Sequence, residues 1–221
     1  MSALASSVRR TERHSARRAF VRARMGSLLA VVPLGVWTVG HVWNNLSAFK
    51  SAAAWQADVT EYKHPIAFFA SLVVALLPLV LHTVWGVGRL ATARPNNVKY
   101  KYLANLKFAL QRLSAIGVAL FLGAHVWLAM LQPRMSTGRA EPFAELARQM
   151  HHHGPTLAVY VLGTLGVAYH LANGLHTFTM GWGIVSSRRA LRRLDLAVVA
   201  AFLVLLAMSW GAIYALWDAG S

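Results

Sequence analysis

Five runs of apolar residues, at about 27–49, 65–88, 108–132, 156–183 and 196–217, alternate with short stretches that hold nearly all of the charge. A bilayer core about 30 Å thick takes roughly 20 residues of helix, so each run predicts a transmembrane helix. Local signals place the ends: Pro65 suits a first helical turn, Pro133 is expected to stop the third run, and Pro155 to start the fourth. Pro33 and Gly35 permit a kink in the first, and RMSTGRAEPFAELARQMHHHGP leaves room for a short surface helix before the fourth. Four runs contain a histidine, His41, His82, His125 and His170, spaced 41, 43 and 45 residues apart, with His176 also in the fourth. An imidazole inside a membrane span is expensive to desolvate and marks a functional site by default. The fifth run has no histidine, which suggests a packing or peripheral role.

Composition agrees with an integral all-α membrane protein: of 221 residues 57% are hydrophobic and 13% charged, with a mean hydropathy of +0.46. The formal net charge of +15 would suit nucleic acid, but the basic residues are confined to the connections, where topology explains them and nucleic-acid binding is not expected. Seventeen of the 22 Lys and Arg fall on the side of the N-terminus and five on the other. The positive-inside rule therefore puts the N-terminus in the cytoplasm. Residues 1–24, with seven arginines and one acid, Glu12, read as a basic cytoplasmic arm, and 25–221 as a five-helix transmembrane domain. The expected location is the cell inner (cytoplasmic) membrane. A transit peptide shares the arm's composition, which keeps the mitochondrial inner membrane as the minor alternative.

Helix direction gives each histidine a depth. His41 and His125 each precede the outer end of their runs by 8 residues, about 12 Å at about 1.5 Å per residue, so they can share one ligand. His82, 7 residues before Arg89, lies at a similar depth on the cytoplasmic side, where it pairs with His170 or His176. Ligands in twos suit a haem iron with both axial positions filled, whereas zinc takes three or four at one depth. With no cysteine, a thiolate-ligated cluster and covalent haem attachment are excluded. Gly35, Gly40, Gly117, Gly123, Gly166 and Gly174 would let a flat macrocycle near the backbone, or serve ordinary helix packing.

In order along the chain, PLGVWTVGHVWNN, LPLVLHTVWG, QRLSAIGVALFLGAHVW and YHLANGLHTFTMGWG surround the four histidines. This set, over nearly the whole chain, resembles the five-helix di-haem cytochrome b subunits of succinate:quinone oxidoreductases, succinate dehydrogenase and fumarate reductase. The resemblance implies two b haems, an outer one between His41 and His125 and a cytoplasmic one between His82 and His170. His176 is six residues past His170 and so points to a face about 120° away, which fits a packing or hydrogen-bonding role.

The resemblance also implies partners: a flavoprotein subunit and an iron–sulfur subunit at the cytoplasmic face, membrane lipid around the spans, and menaquinone or ubiquinone as the electron-carrying substrate. Arg89, Arg94, Lys99, Lys101 and Arg188 to Arg193 are the expected docking charges. Glu61, His64 and Trp55, on the outer side, are the quinone-site candidates, with a cytoplasmic site beside His82 and His170 as the competitor. Some di-haem members carry an acid two positions before the fourth ligand; here that residue is Ala168, which puts a carboxylate relay across the membrane in doubt. The alternatives are a cytochrome b subunit of a hydrogenase or formate dehydrogenase, and a haem-free transporter or assembly scaffold.

Overall fold

A computed structural model describes residues 2–61, 65–92 and 101–221. Among them five helical stretches are long and apolar enough to cross a membrane: His14–Phe49, Phe68–Ala91, Leu103–Thr137, Gly154–Gly181 and Arg188–Asp218. Their outward faces carry side chains such as Val84, Leu120 and Leu196, each about 70% exposed. Such faces are stable only against lipid.

The first stretch is composite. Helix α1 (Ser2–Leu29) passes through a π-helical turn, Ala30–Gly35, into α2 (Val36–Asn45). Pro33 lies inside that turn, where the wider winding accommodates its missing N–H. The arm is thus helical and continuous with the span. The short α3 (Ala52–Trp55) and a π turn precede α4 (Pro65–Ala91), and α5 (Leu103–Val126) follows.

Two ends differ from the sequence expectation. Pro133 does not stop the third span, because a π turn at Trp127–Leu131 delivers it into the first turn of α6 (Gln132–Thr137), where a proline is tolerated. The stop is Gly138, whose φ of 69° reverses the chain. The fifth helix, α9 (Arg188–Asp218), starts eight residues before the apolar run because Ser187 caps it, accepting from Ala190 N at 3.2 Å. Asp195 is consequently helical, two turns in from that end.

Helix α8 (Gly154–Gly181) is the axis of the bundle and packs against α5, α9 and the π turn of the first span, while α4 lies along α1. Close approaches set two of these contacts: a Cβ on Gly163 would overlap the Phe121 ring, and one on Gly26 would overlap Trp85. Neither glycine stands beside a histidine in sequence.

The main buried apolar cluster is not mid-membrane but at the face carrying the C-terminus. There α3 and α7 (Phe143–His152) cap the ends of α8 and α9, with Trp55, Phe143, Leu146, Met150, Ile213 and Leu216 in contact. Gln56 joins the two capping segments: its Nε2 donates to Glu141 O at 3.1 Å, and its Oε1 accepts from Phe143 N at 3.0 Å. That second bond satisfies an N–H at the start of α7, which has no side-chain cap of its own.

Candidate histidine-pair site

In the half of the bundle away from the N-terminus, His41 on α2 and His125 on α5 face each other with ring centres 6.0 Å apart and planes at 65°. Trp37, one turn before His41, stacks on its ring at 4.7 Å, and Phe121 stacks on His125 at 5.6 Å. Tyr160 of α8 brings its hydroxyl to 3.1 Å from His125 Nδ1. Each aromatic restricts an imidazole that would otherwise rotate about two side-chain torsions.

In the other half, His82 on α4 and His170 on α8 stand 6.2 Å apart at 70°. His82 Nδ1 is 2.9 Å from the carbonyl of Gly26, which can only accept, so Nδ1 carries the proton and Nε2 keeps its lone pair. The Gly26–Trp85 approach brings that carbonyl within reach. His170 Nδ1 lies 3.2 Å from Ser114 Oγ and from Gln111 Nε2. Ser114 gives its one proton to Gln111 O at 3.0 Å, which leaves its oxygen able to accept from His170, whereas the Gln111 amide nitrogen can only donate to that ring, so both groups hold the imidazole in direction. Gln111 is itself fixed, donating to His170 O at 3.1 Å and accepting from Asn173 Nδ2 at 2.8 Å. Ten residues of α8 separate Tyr160 from His170, so the two pairs lie about 15 Å apart along the bundle.

This geometry can hold a metal in each pair. Two nitrogen–metal bonds of about 2 Å, plus about 1 Å from each nitrogen to its ring centre, put the centres of an axial pair about 6 Å apart. At His82 the outer nitrogen is held by an oxygen acceptor, the usual way a ligating imidazole is fixed in tautomer and direction. Among the described residues no three His, Cys, Asp or Glu converge, so a zinc-like cage is not formed.

The sequence expectation left His170 and His176 open on depth alone. The structure turns His170 to His82, and sends His176 to Asp195, with Nε2 3.2 Å from Oδ1; Lys107 Nζ joins the same oxygen at 3.1 Å. Ala168 is fully buried.

Of the three outer-side candidates, Glu61 and Trp55 are described. His64 lies outside the described residues, as do Arg94 and Lys99, while Glu61 is exposed. Trp55, only 2% exposed, is packed edge-on to Phe143, and its indole N–H donates to Asn45 Oδ1 at 3.1 Å. Asn45 in turn donates to His41 O at 2.8 Å, so Trp55 anchors the capping loop to the helix of His41.

Sequence reasoning missed the groups that orient the histidines: Tyr160, Ser114, Gln111 and the Gly26 carbonyl. Ser114 and Gln111 stand in the QRLS stretch, and a tyrosine inside an apolar span is a signal in its own right. A backbone carbonyl leaves none.

The chain matches the model of the succinate dehydrogenase/fumarate reductase transmembrane subunit over residues 93–208. It is 30% identical over 206 residues, 91% of this chain and 98% of the relative, to the succinate dehydrogenase cytochrome b558 subunit of Bacillus subtilis (strain 168). Five apolar helices, intramembrane histidines and both of these likenesses agree, and the chain belongs to the succinate dehydrogenase/fumarate reductase transmembrane subunit family.

Proposed function

We propose that this chain is the membrane anchor and electron-transfer subunit of a succinate:quinone oxidoreductase, holding two b haems and passing electrons between an iron–sulfur subunit and a membrane quinone. The observation that carries the reading is the pair of histidine pairs, 6.0 and 6.2 Å between ring centres, each matching the span of a bis-imidazole iron. His41 and His125 would hold one haem, and His82 and His170 the other. When bound, each haem supplies a one-electron Fe(III)/Fe(II) couple. The chain's residues keep the imidazoles aimed, exclude water with Trp37, Phe121 and Trp85, and hold the two sites at fixed separation.

The face bearing the N-terminus is cytoplasmic in this reading and docks the iron–sulfur subunit through the exposed Arg89, Lys101 and Arg188, Arg189, Arg192 and Arg193. The flavoprotein joins through that partner. The quinone site lies on the opposite side, near His41 and His125, where Glu61, exposed on the capping loop, exchanges protons with water as the quinone changes redox state. Trp55 supports that loop.

Purification of the assembled complex tests the reading. Two haems per chain by pyridine haemochrome, with flavoprotein and iron–sulfur subunits present, is the expected result. One haem or none overturns it. Glu61→Gln is expected to slow quinone-linked turnover with both haems retained; unchanged turnover removes the outer quinone site alone.

A further inference from the structure

The fifth run carries no histidine, yet α9 turns a stripe of one residue in seven toward the bundle: Asp195, Phe202, Ser209 and Leu216. Ser209 and Leu216 are buried, and Phe202 is half-buried with its ring edge-on to Tyr169 of α8, 6.4 Å between centres. Residues seven apart share a helix face, so the stripe aims Asp195, its first member, at the same neighbours. Asp195 Oδ1 lies 3.1 Å from Lys107 Nζ of α5 and 3.2 Å from His176 Nε2 of α8. Three helices thus meet on one carboxylate oxygen.

Both partners of that oxygen lead to His170. On α5, Lys107 stands four and seven positions before Gln111 and Ser114, which puts the three on one face, and Gln111 and Ser114 are the groups that hold the His170 ring. On α8, His176 is six positions past His170, about 9 Å along the helix. Between these ends Asn173 donates to Gln111 Oε1 at 2.8 Å, and Tyr169, the residue before His170, reaches Lys107 O with its hydroxyl at 3.4 Å. The rings of His41 and His125 are set instead by Trp37, Phe121 and Tyr160, in the far half of the bundle.

Coulomb attraction is the smaller part of this cluster. The Lys107 and Asp195 side chains are 37% and 49% exposed, so solvent screens their charges. Direction is the larger part. Apolar helix faces in hydrocarbon have little to stop them turning past one another, whereas a shared acceptor oxygen fixes the rotation of both helices that reach it.

We propose that Asp195 is a positioning residue for the His82 and His170 pair: by holding Lys107 and His176 together it sets the rotation of α5 against α8, and with it the plane of the His170 imidazole. This rests on the assignment of a haem to that pair. The two ring planes stand at 70°, and with iron bound that angle sets the magnetic anisotropy of the low-spin ferric haem. The helix without a ligand therefore tunes a haem through the partners of one.

The test uses the assembled complex in nanodiscs and reads the ferric low-spin signals by electron paramagnetic resonance. Asp195→Leu is expected to shift the largest g value of the haem that His82→Ala removes, to leave the other haem's signal in place, and to speed haem release at the first site about 10-fold. Asp195→Asn keeps an acceptor oxygen and is expected to hold the wild-type g value, because direction rather than charge does the positioning. Where the leucine variant fails to assemble, Lys107→Met, which removes the α5 arm alone, is expected to shift the same signal. Unchanged g values in both the leucine and methionine variants overturn the proposal, even with a lowered melting temperature, since the cluster is then a brace for stability only. Equal shifts at both haems overturn it as well, as a general loosening of the bundle. A wild type that lacks a haem at His82 and His170 is a separate outcome that removes the functional reading itself.

Discussion

The two histidine pairs share ring spacing but not surroundings. His82 and His170 are held by polar groups, the Gly26 carbonyl on one ring and Ser114 and Gln111 on the other, with Asn173 fixing Gln111. His41 and His125 are held by rings, Trp37, Phe121 and the phenol of Tyr160, under an apolar cap. Similar ring spacing is thus reached once mainly by hydrogen bonds and once mainly by packed rings. A site fixed by hydrogen bonds to charged or polar groups is sensitive to single donors and acceptors; one fixed by stacked rings is sensitive to volume.

The proposed ligands make the largest test. His82→Ala or His170→Ala is expected to remove one haem and His41→Ala or His125→Ala the other, while His176→Ala keeps both, read from pyridine haemochrome and low-temperature spectra. A single variant that loses both haems would show that the sites are not independent.

Next is the cap. Trp55→Ala removes a side chain that is 2% exposed, a change that costs about 3–5 kcal/mol in a core. Thermal bleaching should come earlier for the haem of His41 and His125 than for the other. Equal shifts would mean that the cap supports the whole bundle.

Ser114→Ala and Tyr160→Phe sharpen the contrast at smaller scale. Each deletes one partner of a ring nitrogen, worth about 10-fold in metal affinity. Haem-release rates should rise at the His170 site for the first and at the His125 site for the second.

The smallest effects lie in the capping loop, where two carboxyls are shifted in opposite directions. Burial, reinforced by the neighbouring Glu145, raises the Glu141 carboxyl above the usual range. Its favourable contribution is present below the ordinary carboxyl pKa and is lost as pH rises through the raised value. Glu141→Gln should therefore stabilise the cap near neutral pH and change nothing in acid, by melting curves across pH. Glu145 is held low by its hydrogen bond from Arg148 and then by Gln149, so its contribution is present above the ordinary carboxyl pKa and lost as pH falls through the lowered one. The pair with Arg148 is exposed, and Glu145→Gln should show only the weak effect of a surface ion pair.

Much of this molecule was legible in the chain because its strongest constraint is one-dimensional. Hydrocarbon requires each span to satisfy its own backbone, so runs of apolar residues fix five helices, and alternating direction fixes the depth of every histidine on them. Depth alone paired His41 with His125, whereas choosing His170 over His176 took the family likeness, and the structure gives His176 its own partner in Asp195. Pro133 misled because whether a proline ends a helix depends on the winding before it, and a π turn is not marked by residue type. Tertiary structure alone decided which group meets a ring nitrogen of His82, His125 and His170. Those partners come from other helices, by rotations and offsets of a few ångströms set where Gly26 admits Trp85 and Gly163 admits Phe121, and side-chain packing across helices has no period that a single sequence displays.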